Sequence, residues 1–301
     1  MVKKILIFGG SGFLGKHLIQ RFLKRKCKIY YVSRKKIKIY NKNLNHIRID
    51  LNIESNFRKL KLLKVDYVIF CAGYVNHDGF FDKNKEVYKV HFLSVIKIVE
   101  IFIKKNIKRF LYIGSSDEYG NNNQNVLKES FKEYPSSSYS FSKTAATLFL
   151  LMMYKTYKFP VSIIRPFLIF GPDQKSNRFI PYVIKNFLRD KKASLSKCNQ
   201  VKDFVYIDDF LDLVWLTLNK EKAKGEIFNA GSGKGRILKD VVQDIRKIIK
   251  KGTPVYSSFY KNENTVQVAS ISKAFKLLGW KPRISFKQGL LRTINAFKSE
   301  S

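Results

Sequence analysis

Short apolar runs alternate with longer amphipathic stretches through the first two thirds of the chain. Residues 3–8, 28–32, 46–49, 65–71, 109–114 and 161–165 are compact hydrophobic runs, the pattern of strands buried on both faces. Between them, residues 13–24, 54–63, 87–105 and 139–158 repeat apolar positions at helical spacing. Strand–helix alternation of this kind predicts an α/β fold, a doubly wound parallel sheet of the Rossmann type. Right-handed crossovers then bring the loops after each strand to one edge, where ligands bind. After Pro172 the rhythm changes. Residues 177–190, 207–221, 237–251, 272–278 and 285–298 read as helices, with short strands such as 226–229 among them. The expected organisation is a sheet domain over 1–172, with 201–233 returning to it. Segments 173–200 and 234–301 form a smaller, mostly helical lobe over the ligand edge.

Composition narrows the class. The 301 residues are 45% hydrophobic and 14% aromatic, enough for a substantial core, which excludes a disordered polymer despite a formal charge of +35. The lysines are spread through every segment, and no zinc-finger or RNP-type motif accompanies them. They read as a solvated surface with weak low-salt adhesion to polyanions and no specific nucleic-acid partner. The longest apolar run, residues 145–154, is about half of what a membrane span needs, and the apolar stretch 5–8 runs into glycines without a cleavage pattern. No membrane insertion is expected. Cys27, Cys71 and Cys198 are scattered and odd in number, which fits a reduced cytoplasmic compartment. His17, His46 and His77 lack metal-ligand spacing, so no metal site is expected, and Asp208-Asp209 reads as a helix start.

The first strand ends in Gly9-Gly10-Ser11-Gly12-Phe13-Leu14-Gly15 and leads into a helix. Gly10, Gly12 and Gly15 satisfy G-x-G-x-x-G, and Gly9, Gly12 and Gly15 satisfy G-x-x-G-x-x-G. Such a turn must be tight, and a side chain would keep a pyrophosphate from the helix N-terminus. The strand–loop–helix context makes this a dinucleotide loop, with Phe13 and Leu14 among its cofactor-binding residues. Two rivals fail as ATPase loops. Gly10 to Lys16 fits G-x-x-x-x-G-K, but His17 follows where Ser or Thr is needed; Gly231-Ser232-Gly233-Lys234 has Phe228 in place of the first glycine. An NAD site usually places an acid at the tip of the second strand. That tip is Ser33-Arg34-Lys35-Lys36, and the first acidic residue of the chain is Asp50. Ser33 and Arg34 suit a 2′-phosphate, so NADP(H) is favoured, with NAD(H) the other possibility. Asp50, with Leu51, is placed for the adenine.

Tyr139-Ser140-Phe141-Ser142-Lys143 is a Tyr-x-x-x-Lys unit, which puts phenol and ammonium on one helix face. The ammonium stabilises the phenolate and brings it toward useful acid–base range. By itself the unit says little. With 16 Tyr and 45 Lys, chance alone yields a few such pairs, and Tyr31/Lys35 and Tyr154/Lys158 also fit. Context selects Tyr139, which opens the helix following a strand end Gly114-Ser115-Ser116-Asp117-Glu118-Tyr119-Gly120 on the same edge as the glycine loop. Ser115 is then placed to hydrogen-bond a substrate carbonyl while Tyr139 gives or takes the proton.

These strings, with Arg165-Pro166 leading to Gly171-Pro172, residues 202–209, and Leu278-Gly279-Trp280-Lys281-Pro282, resemble the extended short-chain dehydrogenase/reductases that act on nucleotide sugars. The resemblance spans essentially the whole chain. It implies Ser115, Tyr139 and Lys143 as the catalytic set, with Tyr139 and Lys143 also contacting the cofactor. It further implies Cys71, Ala72 and Gly73 along the cofactor and Pro166 and Phe167 near its nicotinamide. Ser116, Asn177, Arg178, Phe179, Lys202 and Lys261 fall on the substrate side. Lys202 and Lys261 stand where many relatives carry arginine, keeping the charge without the bidentate fork. His91 stands where many have asparagine. A homodimer through the helices 87–105 and 139–158 is likewise implied.

Three reactions suit this architecture. A 4,6-dehydratase needs Asp-Glu directly after the catalytic hydroxyl. Here Ser116 intervenes, and one step at a strand end turns side chains to the other face. Asp117 and Glu118 are therefore read as local structure. Reduction of the C4 keto group of a 4-keto-6-deoxy nucleotide sugar is the leading expectation, with Tyr139 as proton donor, in deoxysugar supply for surface polysaccharide. A UDP-glucose 4-epimerase type is the alternative. Dehydration and a non-catalytic NADP-binding regulator rank below.

Overall fold

The computed structural model describes residues 2–74, 85–121, 124–257 and 266–299. The strands, in chain order, are β1 (Lys4–Phe8), β2 (Lys28–Ser33), β3 (Leu44–Arg48), β4 (Tyr67–Phe70), β5 (Arg109–Ile113), β6 (Val161–Pro166), β7 (Leu168–Phe170), β8 (Lys192–Leu195), β9 (Val201–Tyr206), β10 (Ile227–Ala230), β11 (Gly235–Ile237), β12 (Thr253–Tyr256) and β13 (Val266–Gln267). The helices are α1 (Phe13–Lys24), α2 (Lys85–Tyr88), α3 (Ser94–Phe102), α4 (Ser138–Tyr157), α5 (Phe179–Leu188), α6 (Ile207–Asn219), α7 (Leu238–Ile249), α8 (Ser272–Leu278) and α9 (Phe286–Ser299).

The chain divides into two compact units: Met1–Asn121, Lys132–Arg165 and Leu213–Phe228 form one, and Asn122–Phe131, Pro166–Asp212 and Asn229–Ser301 the other. The boundary therefore falls before Pro166 rather than at 172, because β7 pairs with β9 of the second unit. Of 201–233, only Leu213–Phe228 returns to the first unit. Its neighbours on either side are held back by Asp203, whose carboxylate accepts bonds from Ser232, Gly233 and Ala269.

The central sheet runs β10-β6-β5-β4-β1-β2-β3. From β1 the chain steps outward through β2 and β3, then returns to the other side of β1 for β4, β5 and β6, all in parallel register. The order reverses between β1 and β4, and at such a point the crevice beyond the carboxyl ends receives ligands. Ile5 to Phe8 and every residue of β5 are buried, as double-faced strands require. The edge strand β3 departs from that expectation: its residues are half-buried or exposed, since only β2 flanks it. The segment Glu54–Leu60 is a tight three-residue-per-turn helix, anchored by Phe57 and Leu60 alone, whose spacing matches that pitch. Between α2 and α3, Lys89–Leu93 forms a wider π turn that buries Val90 and His91.

The second unit holds more strand than a mostly helical lobe implies. β11, β9 and β13 form one small sheet with β7 attached to β9, and β8 pairs with β12. These strands are two to six residues long, too short for a clear period-2 signal. Phe170 is the hub of its aromatic core, with ring centroids 5.5 Å from Tyr206 and 5.2 Å from Phe286. Asp209 accepts from the backbone N–H groups of Arg283 and Ile284, and its carbonyl receives the Trp280 indole N–H at 2.9 Å.

Candidate active site

The glycine loop is closed too tightly for side chains. Gly9 has φ +86°, and a Cβ there would lie 2.7 Å from the Ala72 backbone. One on Gly15 would lie 2.2 Å from the Gly9 carbonyl oxygen. Gly12 caps α1 with no side-chain hydrogen bond, so no side chain competes for the first helical N–H groups. This uncapped helix start behind a side-chain-free turn fits a dinucleotide pyrophosphate. At the tip of β2, Ser33 Oγ donates to the Lys35 carbonyl at 2.6 Å and lies 3.1 Å from His46 Nε2, while Arg34 is exposed. Asp50 caps the Asn52 N–H at 3.1 Å, and Leu51 beside it is partly buried. The Cys71 thiol donates to the Phe8 carbonyl at 3.0 Å. Burial pushes this thiol up to about 12, so it is no nucleophile.

Beyond β5, Ser115 caps the tight turn Ser116–Tyr119 in a reciprocal box: its Oγ accepts from the Asp117 N–H at 3.1 Å, and Glu118 accepts from the Ser115 N–H at 2.8 Å. Gly114 is obligatory, since a Cβ there would meet Glu118 Oε1 at 2.3 Å. Glu118 is fully buried, accepts a hydrogen bond from Arg165 Nε at 2.9 Å and is ion-paired with Arg165 Nη2 at 2.9 Å. Arg165 also bonds Glu133 and covers the Tyr119 ring at 4.7 Å. Burial works against the Arg165 charge, but Glu118, Tyr119 and Glu133 hold its pKa above the ordinary arginine value. Glu118 is thus held as the buried partner of Arg165. Ser116 is buried within the turn.

α4 starts at a second reciprocal box, Ser137 with Ser140, which fixes where its first turns lie. Tyr139 and Lys143 are both buried on those turns. Lys143 Nζ donates to the Ile113 carbonyl at 2.7 Å, tying the helix to the end of β5 two residues before Ser115. Its ammonium sits 4.9 Å from the Tyr112 ring centroid and 6.0 Å from that of Tyr139. Burial pushes Lys143 down to about 8, with Glu118 and Cys71 acting the other way. Against the Tyr139 ring stands His91, the two rings nearly perpendicular with centroids 5.2 Å apart. His91 Nε2 lies 2.9 Å from the Tyr74 carbonyl oxygen and 3.3 Å from the Tyr74 backbone N, and burial followed by the Lys143 charge pushes its pKa down to about 3. The imidazole is neutral.

The other Tyr-x-x-x-Lys pairs serve packing. Tyr31 stacks on His46 at 4.7 Å and accepts the Ile37 N–H, and the Tyr154 ring lies against Gly225. Residue patterns alone did not reveal the Arg165–Glu118–Glu133 cluster. The one available signal was a charged residue inside each of two buried segments. In the second unit, Pro166 is partly buried, Phe167 buried, Asn177 and Arg178 exposed and Phe179 partly buried at the start of α5. Lys202 Nζ donates to Gln267 Oε1 at 2.9 Å. Lys261 and His77 lie outside the described residues. Among the described residues no group of His, Cys, Asp or Glu has metal-holding geometry, and no helix is long and apolar enough to cross a membrane.

Residues 5–231 match the NAD dependent epimerase/dehydratase family. The chain belongs to that family. Its members here include the human dTDP-D-glucose 4,6-dehydratase, 26% identical over 98% of this chain and 90% of that protein. Two solved structures share the fold across 99% of this chain. The UDP-glucose 4-epimerase of Thermotoga maritima, determined with UDP-glucose, has a TM-score of 0.92 at 23% identity over 99% of its own chain. The UDP-glucuronic acid 4-epimerase of Bacillus cereus, determined with UDP-glucuronic acid and NAD, has a TM-score of 0.89 at 24% identity over its full length. As an epimerase/dehydratase family member the chain is a nucleotide-sugar enzyme of the extended short-chain dehydrogenase/reductase group.

Proposed function

We propose that this enzyme moves hydride at C4 of a nucleotide-diphosphate hexose, and that it reduces the 4-keto group of a 4-keto-6-deoxy sugar. The observation that carries this reading is the buried Tyr139–Lys143 pair, joined through Ile113 to the strand end that presents Ser115. When bound in the glycine-lined cradle, a nicotinamide dinucleotide supplies the hydride. Ser115 Oγ already accepts from Asp117, so its own O–H is available to donate to a substrate carbonyl oxygen. Tyr139 transfers its phenolic proton to that oxygen as negative charge develops there. Lys143, held 6.0 Å from the ring centroid, stabilises the phenolate left behind.

Dehydration would require a mobile acid or base beyond C4. Glu118 is unavailable, being buried and held by Arg165 through a hydrogen bond and an ion pair. The tip of β2 presents Ser33 and the exposed Arg34 with no carboxylate, which favours NADP(H) as an exchangeable reductant. The second reading is 4-epimerisation with retained NAD, and what favours it is the likeness to epimerases solved with UDP-sugars, one of them with NAD. The three thiols are free, which suits a reducing cytoplasm, and a second copy of the chain is the expected partner along α4.

One assay separates the readings. The protein is incubated with NADPH or NADH and a 4-keto-6-deoxy nucleotide sugar, and separately with UDP-glucose. Stoichiometric cofactor oxidation in the first supports the reductase; interconversion of UDP-glucose and UDP-galactose without net cofactor turnover overturns it. Tyr139→Phe should lower turnover by about 10²–10⁴-fold while cofactor binding survives. A cellular phenotype that persisted in that variant would point to a non-catalytic role.

A further inference from the structure

One stacked pair of rings clamps both ends of the segment that follows β2. Tyr31 and His46 are directly paired across β2 and β3, so their side chains share one face, and the rings stack with centroids 4.7 Å apart. His46 Nε2 lies 3.1 Å from the carbonyl oxygen of Ser33 and 3.1 Å from its Oγ. The carbonyl can only accept, so Nε2 carries the hydrogen. At the other end, the Tyr31 hydroxyl accepts the Ile37 N–H at 3.1 Å. Ser33 and Ile37 are buried, whereas Arg34, Lys35 and Lys36 between them are exposed.

The clamp decides what Ser33 can do. Its one hydroxyl hydrogen goes to the Lys35 carbonyl at 2.6 Å, and its Oγ receives the His46 N–H. Ser33 therefore has no hydrogen left to offer a ligand. It closes the segment, and the three exposed cations are what a docked anion meets. Tyr31 also packs against the glycine loop, since a Cβ on Gly10 would fall 2.6 Å from Tyr31 Cβ. The ring pair thus joins the cradle for a pyrophosphate to the cationic segment. In a dinucleotide the pyrophosphate and the 2′ position belong to the same adenosine ribose, so meeting both at once requires this spacing to be held. A segment ordered beforehand loses less freedom on binding than a loose one, and discriminates better for that reason.

We infer that His46 is a positioning residue for cofactor choice: by holding Ser33 it fixes segment 34–36, where the 2′ position of the cofactor's adenosine ribose is read. This deepens the dinucleotide reading and rests on it. Dissociation constants for NADPH and NADH are measured calorimetrically on the full chain. His46→Phe keeps a ring to stack on Tyr31 and removes the N–H. It should lower the NADPH-to-NADH preference by about fivefold or more, with the loss falling on NADPH. His46→Gln, whose amide N–H reaches the place of Nε2, should restore the preference. A histidine that only packs would give the opposite order, because phenylalanine stacks and glutamine does not. Ser33→Ala opens the same clamp and should repeat the His46→Phe loss, which keeps the test available should His46→Phe not fold. A wild type that prefers NADPH, with the preference within twofold in His46→Phe or Ser33→Ala, overturns the role of His46 and leaves the NADP(H) reading standing. A wild type that prefers NADH, with NADH weakened in His46→Phe and restored in His46→Gln, supports the clamp and sinks the NADP(H) reading instead. Unchanged affinity for both cofactors overturns the inference whichever one the wild type prefers.

Discussion

The His91 imidazole and the Tyr139 ring meet at an interplanar angle of 87°, and the same imidazole fills the space a side chain on Gly73 would need. A Cβ on Gly73 would fall 1.9 Å from His91 Cε1, and Gly73 itself has φ +139°. His91 therefore backs the Tyr139 ring, and glycine at 73 is what lets it do so. Gly73→Ala should cost about 2 kcal/mol or more and disturb turnover together with stability, read by thermal melts and kcat.

The low pKa of His91 has a consequence for acid stability. The unfolded imidazole takes a proton near pH 6.5, whereas the folded one resists until about 3. Folding stability is thus full above pH 6.5 and falls by about 1.4 kcal/mol per pH unit as the pH drops through that window. His91→Asn, which does not titrate, should show a shallower loss between pH 6.5 and 4 in denaturant melts. Parallel slopes for the two proteins would refute the assignment.

Lys143 predicts a conflict between stability and activity. Its folded pKa of about 8 lies below the ordinary 10.5, so its contribution to stability is present above pH 10.5 and is lost as pH falls through 8. At pH 7 the buried ammonium is therefore a strain on the fold. Lys143→Met should raise stability there by about 1–3 kcal/mol, less what the abandoned Ile113 carbonyl costs, and should reduce turnover by at least about 100-fold. In the wild type, kcat/KM should fall above pH 8 as the ammonium deprotonates, and this limb should move to higher pH in Lys143→Arg.

Removing Arg165 leaves the buried Glu118 carboxylate without its cation, whereas removing Glu118 leaves Arg165 with Glu133 as its remaining carboxylate. Arg165→Met should destabilise by about 3–5 kcal/mol and Glu118→Leu by less, whereas the double change Glu118→Leu with Arg165→Met should recover much of the Arg165→Met loss. A double-mutant cycle in urea measures this, and simple additivity would contradict a coupled pair.

α4 exposes Phe141, Leu148 and Met152 at 61%, 51% and 43%, a spacing that lines one side of the helix. An apolar stripe of this kind on an exposed surface calls for a cover. Leu148→Glu should shift the mass in sedimentation at micromolar concentration from dimer to monomer. A wild type that is already monomeric removes this proposal.

The sheet was legible because β1, β4, β5 and β6 are continuous apolar runs whose burial leaves no alternative, and the glycine loop because its steric demands are local. Tyr139 could be told from Tyr31 and Tyr154 by its place after a strand end, and the structure sets those two in packing roles. The short strands of the second unit were not legible, since two to six residues carry too little period. Nor was the link between Glu118 and Arg165, 47 residues apart, because pairing at that distance is written in topology and not in spacing. His91 was visible as a residue, but its neutral state follows only from burial beside Lys143.

Asp203 and Asp209 also constrain when the second unit can form as the polypeptide leaves the ribosome. Asp203 waits for the amide of Ala269, 66 residues downstream, and Asp209 for the amides of Arg283 and Ile284, which are later still. Until those amides emerge, two carboxylates destined for the interior have no donors from that quarter and must stay in water. The Rossmann strands up to β6 face no such delay, so translation itself should yield a settled sheet first and a late-sealing second unit.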